Sequence, residues 1–166
     1  MKILYSIGHS NHNIKEFCDL LHNSEIQYLV DIRSVPFSKF YPQFNQNTLI
    51  KILEIEYIQY LFLGNELGGR IKDISCYINH TIPDIKIGYA TFLNYEVICT
   101  KEWFNMGITK LLDTIDKGTC AIMCSEENPE QCHRELIVGR KLKELGYTVT
   151  HIRSNSANPA QLKLFE

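Results

Sequence analysis

The stretch from Cys120 to Arg134, CAIMCSEENPEQCHR, places five groups capable of chemistry within eleven residues: Cys124, Glu126, Cys132, His133 and Arg134. An apolar run stops at a thiol, a polar turn follows, and a helix-forming segment begins. Cys124 at a strand end, just ahead of a helix N-terminus and with Arg134 nearby, is placed to form a thiolate or to lie beside a bound anion. A buried cysteine that only packs satisfies the same pattern. A phosphatase-type cysteine loop needs arginine six positions on, and Glu130 stands there.

Glu126 and Asp31 form a candidate carboxylate pair, able to act as acid, base or nucleophile at a sugar carbon if burial and a partner such as Arg33 set them apart. An ordinary structural ion pair is the competing reading. His133 can donate to a carboxylate or phosphate, and Arg134 can hold one through two parallel hydrogen bonds. A zinc site drawn from Cys124, Cys132, His133 and His9 is not expected, because adjacent ligands diverge on a helix and the chain has no C-x-x-C pair. No metal is therefore assigned.

The elements that must position these groups can be read from hydrophobic spacing. Five apolar runs read as strands: Lys2 to Ile7, Gln27 to Ile32, Tyr57 to Leu63, Thr119 to Cys124 and Tyr147 to Ile152. Between them, Ile14, Phe17, Cys18 and Leu21 keep helical spacing, Asn47 precedes a second helix, and Phe104 to Ile115 form a third with Gly118 as its cap. A helix is expected over Tyr89 to Val97 and another over Gln131 to Leu145, while Ile71 to Gly88 shows no period. The alternation predicts a single three-layer α/β domain over residues 1–153, Rossmann-like, with a mostly parallel five-stranded sheet and helices on both faces.

In such sheets ligands bind beyond the carboxyl ends of the strands. Those ends carry Gly8-His9-Ser10, Asp31-Ile32-Arg33, the Gly68-Gly69-Arg70 loop, Cys124 and His151-Ile152-Arg153. One rim thus gathers the expected catalytic residues Asp31, Cys124, Glu126 and His133. It also gathers the expected anion-binding residues Gly8, His9, Ser10, Arg33, Arg70 and Arg134. His9 and Ser10 can equally cap the first helix. No dinucleotide glycine fingerprint follows the first strand, so no nicotinamide or other cofactor is expected.

Bulk composition limits the function classes. With 166 residues and 45% hydrophobic content the chain has enough core without disulfides. A formal charge of −2 gives no global argument for nucleic acid or membrane. Locally, Arg134 to Arg153 holds five Lys/Arg against Glu135 and Glu144. The loop from Arg33 to Asn45 interleaves Phe37, Phe40, Tyr41 and Phe44 with Lys39, a composition suited either to base stacking or to a lid. The absence of a signal peptide or long apolar window predicts a cytoplasmic protein with reduced thiols and no membrane partner.

Taken together, IGHSN (Ile7 to Asn11), DIRSVPFS (Asp31 to Ser38), PQFN (Pro42 to Asn45), LGG (Leu67 to Gly69) and MCSEENPEQCHR (Met123 to Arg134) resemble the bacterial and archaeal family called domain of unknown function 488 (DUF488). The resemblance implies a cytoplasmic α/β domain and marks these motifs without supplying a reaction. Residues 154–166 read as a tail. Gln161, Leu162, Leu164 and Phe165 resemble the short peptide by which bacterial replication and repair proteins dock on the sliding clamp. Packing of that peptide back onto the domain is the alternative.

The expectation is an enzyme acting on a phosphate-bearing substrate in nucleic-acid or nucleotide metabolism, hydrolytic or glycosyl-transferring, with the sliding clamp as its tether. A non-catalytic nucleic-acid or nucleotide-binding module is the first alternative. A thiol redox or metal-binding protein is the second.

Overall fold

The central strand CAIMC is apolar on both sides because both sides are covered. In the computed structural model, which describes residues 2–84 and 88–154, β1 (Ile3–Gly8), β2 (Tyr28–Asp31), β3 (Gln59–Phe62), β4 (Cys120–Cys124) and β5 (Thr148–Ile152) form one sheet in the order β3-β2-β4-β1-β5. Every pairing is parallel. β1 keeps the length of its apolar run but starts and ends one residue later, and the other four strands are one to three residues shorter than theirs.

Successive residues face opposite sides of a strand, and the two cores divide accordingly. Leu29, Ala121 and Met123 pack with Phe17, Leu21, Leu49 and Leu53 from α1 (Ile14–Asn23) and α2 (Gln46–Ile55). Val30, Cys120 and Ile122 face the other way, toward Phe104, Ile108 and Leu111 of the helix over Glu102–Ile115, and toward Val138 and Leu142. A fully buried Leu or Ile contributes on the order of 1.5–3 kcal/mol, so the alternation fixes strand register strongly.

Asn13 caps α1, its side chain accepting from the Glu16 N–H at 2.9 Å. Asn45 precedes α2 in the cap position but spends its side chain on the Ser38 N–H at 2.7 Å, tying down the aromatic loop. After a one-turn helix α3 (Gly64–Leu67), the aperiodic stretch contains two 3-10 turns, Ile74–Cys76 and Ile78–His80. The expected helix at Tyr89 is instead a 3-10 turn, Tyr89–Phe92, and a separate short helix α4 (Tyr95–Cys99), because Asn94 interrupts the run with its own cap on Val97. Helix α5 (Glu102–Ile115) ends at Asp116, before Gly118.

The last helix corrects the sequence reading most. Gln131 still belongs to a 3-10 turn, Pro129–Gln131, and Cys132 is extended at φ −111°, ψ 142°. Helical backbone begins at His133, widens into a π segment over Arg134–Gly139, and continues as α6 (Arg140–Glu144). Among the described residues no helix is long and apolar enough to cross a membrane.

Candidate functional site

The parallel register sets the strand ends level. Gly8 lies opposite Cys124, and Asp31 opposite Met123. The ladder runs one step further through His9 N–H to the Cys124 carbonyl and Ile32 N–H to the Met123 carbonyl, at 2.9 and 3.1 Å. Ser10, at φ 44° in the left-handed region, turns the chain so that its N–H meets the Ser125 carbonyl at 3.0 Å.

The rim residues separate into two networks. In the first, the Asp31 carboxylate accepts Arg33 Nε at 2.9 Å and Nη2 at 2.6 Å, a two-pronged pair, and also the Tyr60 hydroxyl at 2.7 Å. Asp31 is fully buried and Arg33 nearly so. Arg33 Nη1 donates to His9 Nε2 at 3.2 Å, which leaves the His9 Nδ1 proton for the Ser10 carbonyl at 3.0 Å. His9 stacks on Phe44, ring centroids 4.4 Å apart. Burial, and then the Arg33 charge, lower the His9 pKa to about 4, so the ring is neutral.

In the second network, Cys124, Glu126, Cys132 and His133 meet. Cys124 ends β4 and shares the side of Cys120 and Ile122, opposite to that of Asp31. Its Sγ lies 3.0 Å from Glu126 Oε2 and 3.7 Å from His133 Nδ1; Cys132 Sγ lies 3.2 and 3.8 Å from the same two atoms. His133 Nε2 donates to the Ile32 carbonyl at 3.0 Å, so its Nδ1 lone pair faces the two sulfurs. The Arg134 backbone N–H lies 3.5 Å from Cys132 Sγ.

Extended backbone at Cys132 is what permits this convergence. The premise that adjacent Cys132 and His133 diverge on a helix is therefore corrected: the helix starts one residue later. Helical backbone after β4 begins only at His133, and the side chains that meet the Cys124 sulfur are Glu126 and His133.

Electrostatics follow from the crowding. Burial pushes the Cys124 thiol up, but hydrogen bonding from Cys132 and the charge and hydrogen bond of His133 outweigh it and hold Cys124 well below the usual thiol range. Burial and the neighbouring Cys124 push Cys132 well above that range. Glu126 is raised by burial and by Cys124. Burial lowers His133, yet the Cys124 charge prevails and raises it. Cys124 and Cys132 therefore titrate as an interacting pair, in opposite directions.

Two glycines make the packing possible. A Cβ on Gly69 would stand 2.6 Å from both the His133 ring and the Tyr89 hydroxyl, and one on Gly8 would strike the Glu126 carbonyl. The roof over the cluster is thus the Gly68-Gly69-Arg70 loop together with Tyr89.

The cationic residues differ in commitment. The Arg134 guanidinium is buried and donates to the Glu126 and Glu127 carbonyls, the latter at 2.7 Å, so it pins the turn after β4. Arg33 is held by Asp31. Arg70 is exposed, lies over the Tyr89 ring at 5.7 Å, and has no carboxylate partner among the described residues. It lines a groove of about 480 Å³ with Ser34, Val35, Lys72, Tyr77 and Tyr89.

The basic stretch from Arg134 to Arg153 does not form a free cationic face. Arg140 pairs with Glu96 and Glu144, Lys143 with Glu135, and Arg153 with Glu127, while Arg134 is buried. In the aromatic loop Phe44 turns inward, but Phe37 and Phe40 stay 66% and 82% exposed and do not fold down as a lid. Tyr60 and Tyr89 escaped the sequence reading because no motif marks them, while Ser34 and Phe44 lie inside the DIRSVPFS and PQFN motifs but were given no role in the site. Gly68-Gly69 was the one available signal. Gln161, Leu162, Leu164 and Phe165 lie outside the described residues.

Fold and rim define a parallel α/β protein with a buried thiol, imidazole and carboxyl centre. The chain belongs to the family described as Domain of unknown function DUF488, whose model matches residues 13–140. Searches of curated proteins and of solved structures return no match.

Proposed function

We propose that this protein is an enzyme of nucleotide or nucleic-acid metabolism that acts on a phosphate-bearing substrate by hydrolysis or glycosyl transfer. The observation that carries the reading is Glu126: a half-buried carboxyl, raised in pKa, resting on two thiols at the carboxyl edge of a parallel sheet. A carboxyl that keeps its proton nearer neutrality can donate to a leaving group and take a proton back from water. Cys124, with His133 at 3.7 Å, is the alternative attacking group.

The groove supplies the binding half. Arg70 and Lys72 offer cations for phosphate, and Tyr89 belongs both to the groove and to the roof over His133. This reading assigns anion binding to Arg70, because Arg33 and Arg134 are already spent on groups of the protein itself. The six unpaired cysteines fit a reducing compartment, the cytoplasm.

The test is a panel of nucleosides, their 5′-phosphates and short single strands, with products read by mass spectrometry. Product should form from phosphorylated members, and Arg70→Ala should raise KM for them by about tenfold, the loss of one charge-assisted contact. A non-catalytic module is the second reading, favoured by exposed Phe37 and Phe40, which can stack on bases. Salt-dependent binding of single strands with no product would select it.

The tail extends the proposal to DNA repair: Gln161, Leu162, Leu164 and Phe165 would dock on the bacterial sliding clamp. Pulldown of purified clamp by the full chain, lost on removal of the last six residues, is the expected result. Equal capture by both forms would refute the tether.

A further inference from the structure

We propose that Cys124, Cys132, His133 and Glu126 bind a zinc ion. Their four donor atoms all lie within 4.8 Å of one another. A tetrahedral zinc ion with sulfur at about 2.3 Å and nitrogen or oxygen at about 2.0 Å holds neighbouring sulfur and nitrogen or oxygen donors about 3.5 Å apart. The four sulfur to nitrogen or oxygen separations here are 3.0, 3.2, 3.7 and 3.8 Å. These four of the six edges are each within about half an ångström of the ideal, and the remaining two lie within 4.8 Å, so side-chain rotations can close the donors on the ion.

The surroundings match what a metal-bound histidine and thiolate require. The His133 Nε2 proton is held by the Ile32 carbonyl, which fixes the tautomer with Nδ1 free to ligate. The Arg134 backbone N–H reaches Cys132 Sγ, as an amide does beside a thiolate. Cys124 is fixed by the sheet, and the turn between Cys124 and Cys132 is fastened by the Arg134 guanidinium. The ligands are therefore preorganised by elements that do not depend on the ion.

Charge gives an independent argument. The ion would let both thiols and the Glu126 carboxyl ionise together in one largely buried space, which is costly without a cation. The neighbouring guanidinium groups are not available for that purpose: Arg33 is bound to Asp31 and Arg134 to two carbonyls. Two soft sulfurs with one imidazole select zinc over magnesium or calcium. On binding, each thiol proton leaves to solvent as its sulfur ligates, and no oxidant or reductant is consumed.

Cys124, Cys132 and His133 are buried, whereas Glu126 is half-buried and faces the solvent side. Glu126 is thus the ligand that water or a substrate oxygen can displace. With zinc bound, Glu126 is a ligand and serves as acid or base only when water or a substrate oxygen displaces it; metal content reads the site apart from turnover, so failure of one does not imply failure of the other.

The experiment uses the full chain, purified in reducing buffer without chelator, with zinc measured by mass spectrometry and cobalt(II) titrated into chelator-stripped protein. About one zinc per chain is expected, and cobalt should give the intense visible bands of a tetrahedral thiolate complex. Cys124→Ser and Cys132→Ser should lose both, while Cys18→Ser, on α1, should keep both. If the cysteine variants do not fold, Glu126→Gln, altered at the solvent side, should fold and bind zinc at least about tenfold more weakly. Wild-type protein that neither carries zinc nor takes up cobalt would overturn the assignment. Unchanged stoichiometry in Cys124→Ser and Cys132→Ser would overturn it as well.

Discussion

His133 on the last helix donates its Nε2 proton to the carbonyl of Ile32, 101 positions earlier in the chain, at 3.0 Å. That single bond turns the other ring nitrogen toward Cys124 and Cys132 and so decides the chemistry of the cluster. Stripped of metal, the wild-type protein should form one thiolate well below the ordinary thiol range, because the Cys132 hydrogen bond and then His133 favour the charged sulfur. His133→Gln retains a donor for Ile32 but removes the nitrogen lone pair. Ultraviolet thiolate titration should show the low step lost in that variant, and an unchanged step would exclude His133 as its cause.

Asp31, an expected catalytic residue, sits in a buried ion pair with Arg33. Its carboxylate is fully buried and satisfied by Arg33 and Tyr60. Asp31→Asn leaves a buried guanidinium uncompensated and should cost about 3–5 kcal/mol in chemical denaturation. Replacing both partners, Asp31→Leu with Arg33→Met, should recover much of that loss. A single variant within about 1 kcal/mol of wild type would contradict the anchoring role.

Gly69 lies against both Tyr89 and His133, with no room for a methyl group. Gly69→Ala should destabilise the fold by about 1–3 kcal/mol through overpacking. The same variant should lower turnover by displacing His133. Thermal unfolding and kinetics together check this, and a neutral substitution would mean that the loop is not a fixed roof.

His9 predicts the acid side of the stability profile. Its folded pKa is about 4 against 6.5 for the unfolded chain, so below 6.5 the unfolded state binds the extra proton. Stability from this group is intact above about pH 6.5 and declines as pH falls toward 4. The drop is on the order of 3 kcal/mol. His9→Gln offers Arg33 an acceptor and does not titrate, so its denaturation midpoint should be flatter across that window. Equal slopes in both proteins would remove His9 as the source.

The parallel sheet was legible because fully buried strands leave unbroken apolar runs, as CAIMC does, and because α1 and α5 keep helical spacing. Placing chemistry at strand ends followed from the same pattern. What could not be read was which side of a strand each end residue faces in space. Alternation puts Asp31 and Cys124 on opposite sides, so Glu126 joins the thiols and not Asp31. Nor does composition reveal that Cys132 stays extended, since one residue's backbone angle decides whether Cys132 and His133 diverge or meet. Tyr60 and Tyr89 entered through tertiary packing alone.

Glu126→Gln against wild type, on whichever phosphorylated nucleoside or strand the product screen returns, tests the central claim most directly. The substitution preserves shape and removes the proton. Single-turnover product formation should fall by about 100-fold or more, the usual contribution of a positioned acid or base, with circular dichroism unchanged. Turnover equal to wild type in a folded Glu126→Gln protein would contradict the account.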